Sequence, residues 1–445
     1  MKGLSKADFY RWYVVAVLLL VFILSYFDRY ILSLLVDPIK KDLGLTDFQM
    51  GLLLGPAFSV VNVICAIPIG WLADRRSRKW ILIIGILFWC TMTTMSGFAM
   101  AFLPLLLLRM GLGIGEAVVS PTSISIISDY FSRSTRARAV SVYMAGPYLG
   151  AGLAFGIGGI IVHWLEGLDS ITPFGLGPFE PWQATFFMVG LPGFLFALLV
   201  LSIREPARTD KVTFDRSDPN RPNAFKYMSK RWQAFGAIFV GATCNFALTT
   251  LTFWNVPLFQ RVFGWSIGQI GAVTGVFYFT AGPIGTAIAV WASRHFAKKN
   301  PDYAMKVLIL GLFVAIPASA LYPIMPTAEM AIVFMFIAFI GKSIATAGGP
   351  SSLSLVTPGE IRSQSVAIFT AVVTVVGPIF GPPIIGWAVD NSGDPKFVGT
   401  ALSAFVTVLG VPAILFVLWA RGHYRTAVIE MEESLKQQSG EAAPA

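Results

Sequence analysis

The stretch QMGLLLGPAFSVVNVICAIPIGWLADRRSRK, residues 49–79, carries no charge from Gln49 to Ala73 and then sets Asp74, Arg75, Arg76, Arg78 and Lys79 within six positions. As a helix its uncharged part is long enough to cross about 30 Å of hydrocarbon, and the charges then mark the exit into water. Shifted by 220 residues, the stretch falls on QIGAVTGVFYFTAGPIGTAIAVWASRHFAKK, residues 269–299. Gln49, Gly51, Gly55, Trp71 and Lys79 then coincide with Gln269, Gly271, Gly275, Trp291 and Lys299, and Arg78 falls on Lys298. A shift of 226 likewise pairs RARAVSVYMA (136–145) with RSQSVAIFTA (362–371). A chain that repeats a membrane span together with its polar exit is built from two similar halves.

Working outward, apolar runs of about 20 residues occur near 12–36, 48–73, 80–102, 104–131, 138–164, 183–203, 232–259, 267–292, 305–325, 328–356, 363–388 and 397–420. The expected architecture is an all-α integral membrane protein with twelve transmembrane helices in two pseudo-symmetric six-helix bundles. Residues 1–203 form the first bundle, 204–231 a linker, 232–421 the second bundle and 422–445 a tail. Composition agrees: 55% of the 445 residues are hydrophobic and only 13% charged, with a mean hydropathy of +0.70, against about a quarter charged in soluble chains. The first run is too long for a secretory signal and lacks a small-residue cleavage site.

Lys and Arg concentrate at 74–79, 132–139, 204–231 and 293–299 and at both ends, whereas the opposite loops hold only Lys40, Lys41, Arg261 and Lys396. Basic residues are retained on the cytoplasmic side, so both termini are expected there. The net charge of +9 expresses this bias rather than nucleic-acid binding. Cys65, Cys90 and Cys244 lie in apolar runs without metal-ligand spacing and read as small buried hydrophobes. There is no Asn-x-Ser/Thr sequon, which favours a prokaryotic plasma (inner) membrane.

Five charges fall well inside these runs, more than four residues from either end: Asp28 and Arg29 in the first, Arg109 and Glu116 in the fourth, and Lys342 in the tenth. Each costs several kcal/mol unless paired or hydrated, so each is a functional candidate. Asp28 and Arg29 are about 100° apart around a helix and cannot face one another, while Arg109 and Glu116 share a face about 10 Å apart. Cross-pairing between the first and fourth helices is the economical arrangement. Asp28 and Glu116 are then the proton-coupling acids, and Arg29, Arg109 and Lys342 the contacts for an anionic substrate. A static ion cluster that only fixes packing is the bland alternative, and Lys342 reads equally as a cavity contact or as a snorkelling lysine. Aligning Pro350 with Pro121 sets Ala338 opposite Arg109 and Ala345 opposite Glu116; scaffold features repeat between the halves, and these charges do not.

The exit GWLADRRSRK resembles the loop 2–3 motif of the major facilitator superfamily, with Gly70, Asp74, Arg75, Arg78 and Lys79 in its positions. Within that superfamily, YFDRYILS (26–33), RMGLGIGEAVVSPTSISIISDYF (109–131) and ARAVSVYMAGPYLGAGLAFGIGG (137–159) resemble the Spinster family of lysolipid and sphingolipid transporters. The resemblance implies the major facilitator fold and a conformational latch made by the loop residues with Arg136. It also implies a substrate path near Tyr26, Tyr30, Tyr143, Phe246, Trp254, Tyr278 and Phe369, and a chain that works as a monomer among membrane lipids. The leading expectation is a proton-coupled transporter of an amphipathic anion such as a lysophospholipid, by alternating access, with protons as coupling ion and no cofactor or metal. The alternative is a proton symporter of a small organic acid such as a sugar acid, because other branches share the Asp-Arg pair. A non-transporting receptor or scaffold is the third reading. An enzyme is not expected: there is no nucleophile-base-acid set, phosphate loop or metal spacing. Nothing resembles a channel filter or a ring of like charges either.

Overall fold

The computed structural model describes residues 6–168, 171–172, 178–207, 223–298 and 300–439. The middle of the expected linker, 208–222, and Lys299 of the repeat lie outside the described residues. The fold is all-α, and among the described residues twelve helices are long and apolar enough to span a membrane. They are Asp8–Leu34, Asp47–Ala73, Arg78–Ser96, Phe102–Tyr130, Thr135–Glu166, Pro181–Leu201, Trp232–Phe263, Ile267–Ala297, Tyr303–Ile324, Ala328–Leu355, Gln364–Ser392 and Pro395–Ser434. We number them one to twelve. Helices satisfy their own backbone, which hydrocarbon cannot do for them. The helix of the twelfth span runs from Val398 to Ser439, continuing well past the apolar run that ends near residue 420. The chain divides into two compact units, Met1–Phe214 with Phe253–Phe279 and Pro382–Pro395, and Asp215–Thr252 with Thr280–Gly381 and Lys396–Ala445.

The matched glutamines of the repeat turn out to be capping residues. Gln49 N–H donates to Thr46 Oγ1 at 3.1 Å while Gln49 Oε1 accepts the Thr46 N–H at 2.9 Å. At the start of the eighth span, Ser266 and Gln269 repeat the exchange at 3.2 and 2.9 Å. Each box satisfies orphan donors at a helix N-terminus. The matched glycines are close approaches: a Cβ on Gly51 would lie 2.4 Å from the Pro382 carbonyl oxygen, and one on Gly271 2.6 Å from that of Phe155. In the second unit the ninth and tenth spans meet through small residues four apart. A Cβ on Gly311 would meet Ala345 N at 2.2 Å and one on Gly341 would meet Ala315 N at 2.4 Å. Reciprocal small pairs of this kind let helix backbones touch in a bilayer, where dispersion and close contact replace the hydrophobic effect.

The start of the second span is held by charge. Arg261 Nε donates to Asp37 Oδ1 at 3.0 Å and its Nη2 to Asp47 Oδ1 at 2.7 Å, and Lys40 also pairs with Asp47. The Asp390 carboxylate accepts the backbone N–H groups of Asp47 and Phe48 at 2.9 and 2.8 Å, a negative charge at a positive helix end. All of these residues belong to the first unit. Arg261→Met is expected to cost about 2 kcal/mol, below the usual penalty for breaking a buried pair, because Lys40 remains on Asp47 and Asp37 is partly exposed. Asp390→Asn, which keeps an acceptor oxygen and loses the charge, is expected to cost about 1 kcal/mol. Thermal unfolding in detergent, followed by tryptophan fluorescence, checks both the magnitudes and the order.

Candidate functional site: buried charges of the first and fourth spans

Asp28 and Arg29 are consecutive on one helix, and their side chains diverge accordingly. Arg29 Nη2 reaches Glu116 Oε2 at 3.0 Å, and Ser25 Oγ donates to the same oxygen at 2.7 Å. The Arg29 guanidinium also lies over the rings of Phe58 and Tyr26, 4.1 and 4.5 Å from their centroids. The face of an aromatic ring is electronegative, so both rings stabilise the cation. Glu116 side chain is fully buried, whereas 23% of the Arg29 side chain is exposed. The pair therefore joins a fully enclosed acid to a partly exposed guanidinium.

Asp28 turns the other way. Its buried carboxylate adjoins Trp89 and Thr93 of the third span and Arg109 of the fourth, none of them close enough for a well-formed hydrogen bond, and no other described residue supplies one. Arg109 Nη1 instead donates to the Asp28 main-chain oxygen at 3.4 Å, and its guanidinium lies 4.6 Å from the Phe186 ring centroid. The first unit thus holds two acids and two arginines as adjacent pairs, one in direct contact and one not.

The local sequence explains how Glu116 gets there. The fourth span is two helical segments, Phe102–Glu116 and Val119–Tyr130, and Glu116 closes the first. A Cβ on Gly113 would lie 2.7 Å from the Phe58 carbonyl oxygen and one on Gly115 2.7 Å from Trp89 Cβ. The glycines of GLGIGE bring the second and third spans against the fourth, and the acid is carried in with the backbone.

The remaining candidates separate. Tyr26, Tyr30 and Tyr278 join Phe155 and Phe253 in one aromatic cluster of the first unit, with Tyr30 5.6 Å from Phe253 and 6.2 Å from Tyr278. Tyr143 is fully buried and stacks on Phe22 at 4.5 Å. Trp254 is fully buried, its indole donating to the Pro382 carbonyl at 3.3 Å. Phe246, Lys342 and Phe369 belong to the second unit, where Phe369 packs edge-on against Phe239. At the end of the second span Gly70 has open space around it, and just beyond it Asp74 is exposed and Arg75 lies 3.8 Å over Trp71. Lys79 Nζ donates to Leu201 O at 2.6 Å and Arg136 Nη2 to Ser128 O at 2.7 Å.

The sequence pattern of the Major Facilitator Superfamily matches residues 18–341. The chain belongs to that superfamily. Among its relatives is an "MFS-type efflux pump" of Mycolicibacterium smegmatis, 26% identical over 94% of both chains. Another is the "Probable galactarate/D-glucarate transporter GudP" of Bacillus subtilis, 26% identical over 98% of this chain and 97% of that one. Among solved structures it resembles a bacterial homologue of the human lysosomal transporter Spinster, inward-facing and unoccupied. That structure has a TM-score of 0.78 and 25% identity, covering 99% of this chain and all of the other. These relatives are transporters, and the facilitator chain is a transporter, not an enzyme.

Two features of this facilitator escaped sequence reasoning. Ser25 stands four residues before Arg29, hence on the same helix face, and that spacing was the available signal. Arg78, expected in a latch, is the centre of a buried cluster. It meets Asp129, Ser125, Glu205 and the Pro206 carbonyl, partners 47 to 128 residues away that no local pattern announces.

Proposed function

We propose that this facilitator is a proton-coupled secondary transporter of a small organic anion, a sugar acid being the best-supported class. The observation that carries the proposal is the arrangement of the first and fourth spans, where a buried carboxylate shares its charge with a partly exposed arginine. Protonation of Glu116 discharges the partner of Arg29 and leaves a guanidinium able to take a carboxylate, so proton and anion binding become linked free energies. Asp28 and Arg109 act as the second such pair. A full-length relative described as a galactarate/D-glucarate transporter supports this class of substrate over a lipid. The fold likeness to a Spinster homologue and the Tyr26, Tyr30 and Tyr278 cluster favour the second reading, an amphipathic anion such as a lysophospholipid. In either case the basic loops orient both termini to the cytoplasm of a prokaryotic plasma membrane. The chain works as a monomer, and Gly70, Asp74, Arg75, Arg78, Lys79 and Arg136 act as a latch between alternating states.

Proteoliposomes test the reading. Uptake of labelled galactarate, galactonate and a lysophospholipid is measured with and without an imposed pH gradient. Saturable sugar-acid uptake is expected to be stimulated severalfold by the gradient. Uptake indifferent to the gradient would remove the coupling, and lysophospholipid movement without sugar-acid movement would reverse the substrate assignment.

A further inference from the structure

The second unit contains one mid-span charge that the paired residues of the first unit do not answer. Lys342 lies at the centre of the span Ala328–Leu355, about 20 Å of helix from either end, further than its four-carbon stem reaches. It therefore does not snorkel. Its backbone is fixed by the neighbouring Gly341 against Ala315, and its side chain leaves that seam for the seventh span, where Nζ donates to Thr249 Oγ1 at 3.1 Å. Among the described residues no carboxylate pairs with Lys342, in contrast to Arg29, Arg78 and Arg261. Thr249 is buried and begins the helix Thr249–Phe263, just after the seventh span breaks at Leu248.

The surroundings of this ammonium are ordered by hydrogen bonds. Thr346, one turn after Lys342, donates to the Lys342 carbonyl at 2.8 Å and accepts from Asn245 Nδ2 at 3.0 Å. Asn245, on the seventh span, thereby ties the tenth span to it and holds Lys342 and Thr249 in register. The Thr249 hydroxyl accepts from Lys342 and keeps its own proton to give. One ammonium and one hydroxyl on adjacent helices are the donors that a single carboxylate requires.

We propose that Lys342 and Thr249 form an anion subsite that takes one carboxylate of the substrate, with Asn245 and Thr346 as positioning residues. The inference rests on the organic-anion reading above and specifies its recognition. Asp28 and Glu116 balance Arg29 and Arg109 in charge, so Lys342 supplies the one unmatched positive charge among these five. A carboxylate-bearing ligand is consequently preferred to a neutral one of the same size, and a second carboxylate is not required.

Binding to purified full-length protein tests this by titration with D-galactonate and with galactitol, the neutral polyol of equal length. Wild type is expected to prefer the acid. Lys342→Gln should weaken acid binding about 10- to 100-fold, the effect of one charge-assisted contact, and leave polyol binding unchanged. Thr249→Val should weaken the acid severalfold, and Lys342→Arg should retain most of the preference. Removing an unmatched buried charge should leave the melting temperature level or higher in Lys342→Gln, whereas a lysine that merely holds helices together would lower it. Retention of the full acid preference in a folded Lys342→Gln protein overturns the subsite. If wild type binds no sugar acid, the substrate class above is wrong, and the subsite is then read from lysophosphatidate against neutral monoacylglycerol in the same variants. A preference for the acidic lipid that disappears in Lys342→Gln supports the subsite independently. An equal affinity for acidic and neutral ligands in wild type overturns it.

Discussion

Glu116→Gln is expected to reduce gradient-driven uptake at least about thirtyfold while leaving substrate exchange across the membrane far less affected. The substitution preserves shape and one acceptor oxygen, so Ser25 Oγ at 2.7 Å and Arg29 Nη2 at 3.0 Å keep a partner. What disappears is the charge, and with it the site's ability to exist in two protonation states. Truncating one member of a buried, hydrogen-bonded charge pair costs about 2 to 5 kcal/mol, which is about 30- to several thousandfold in an equilibrium. Here the loss falls on the step that moves a proton. Exchange of substrate for substrate needs no net proton movement, so it separates coupling from folding and binding. Arg29→Met should behave differently, abolishing uptake and exchange together, because it strands a fully buried carboxylate and removes the group that receives the anion. Equal loss of uptake and exchange in Glu116→Gln would make the pair a structural fixture and sink the coupling scheme. Asp28→Asn provides an internal comparison: among the described residues its carboxylate has no well-formed hydrogen bond, so its loss should disturb stability less than that of Glu116.

The spans were legible because hydrocarbon imposes a length and an apolar composition that few soluble segments share. The repeat was legible for a reason its letters did not state, since Gln49 and Gln269 matched as two capping boxes and Gly51 and Gly271 as two places where a neighbouring carbonyl leaves no room for a Cβ. The intramembrane charges announced themselves by rarity, and the 100° step between Asp28 and Arg29 already required different partners for each. Which arginine meets which acid needed the break after Glu116 and the glycines around it, because these set the rotation of the fourth span. The partners of Arg78 and Arg261 were hidden by distance along the chain: Asp37 and Arg261 are 224 residues apart, and nothing local in either segment selects the other. Substrate class was least legible of all. An Asp-Arg pair on the first span does not by itself distinguish a lipid from a sugar acid, and groups such as Thr249 and Asn245 are of types unremarkable in any membrane helix.

Arg78→Met is expected to be the most destabilising single substitution in the first unit, at about 3 to 5 kcal/mol. Arg78 side chain is 1% exposed and is consumed by its neighbours. Nη1 donates to Ser125 Oγ at 2.9 Å and to Asp129, and Nη2 donates to the Pro206 carbonyl at 2.9 Å. Nε lies 3.4 Å from Glu205 Oε1. Methionine fills the volume but removes the donors that Arg78 gives to Asp129 and to the Pro206 carbonyl. Lysine keeps the charge and cannot reproduce the planar fork, so Arg78→Lys should lose about half as much. The pH dependence carries a sign that checks the geometry. Burial by itself would raise the Glu205 carboxyl, but hydrogen bonds from Ser77, from the Arg78 N–H and from its side chain, with the guanidinium charge, hold it below the usual carboxylate range. A group depressed in the folded state stabilises fully above its unfolded value, about 4.3 for glutamate, and loses that contribution as pH falls through the folded value. The stability difference between wild type and Glu205→Gln should therefore stay level above about pH 5 and shrink as the pH drops below about 4. Melting curves across that range in detergent decide the point: a difference that grows on acidification would mean that the carboxylate is not the partner of Arg78 in solution.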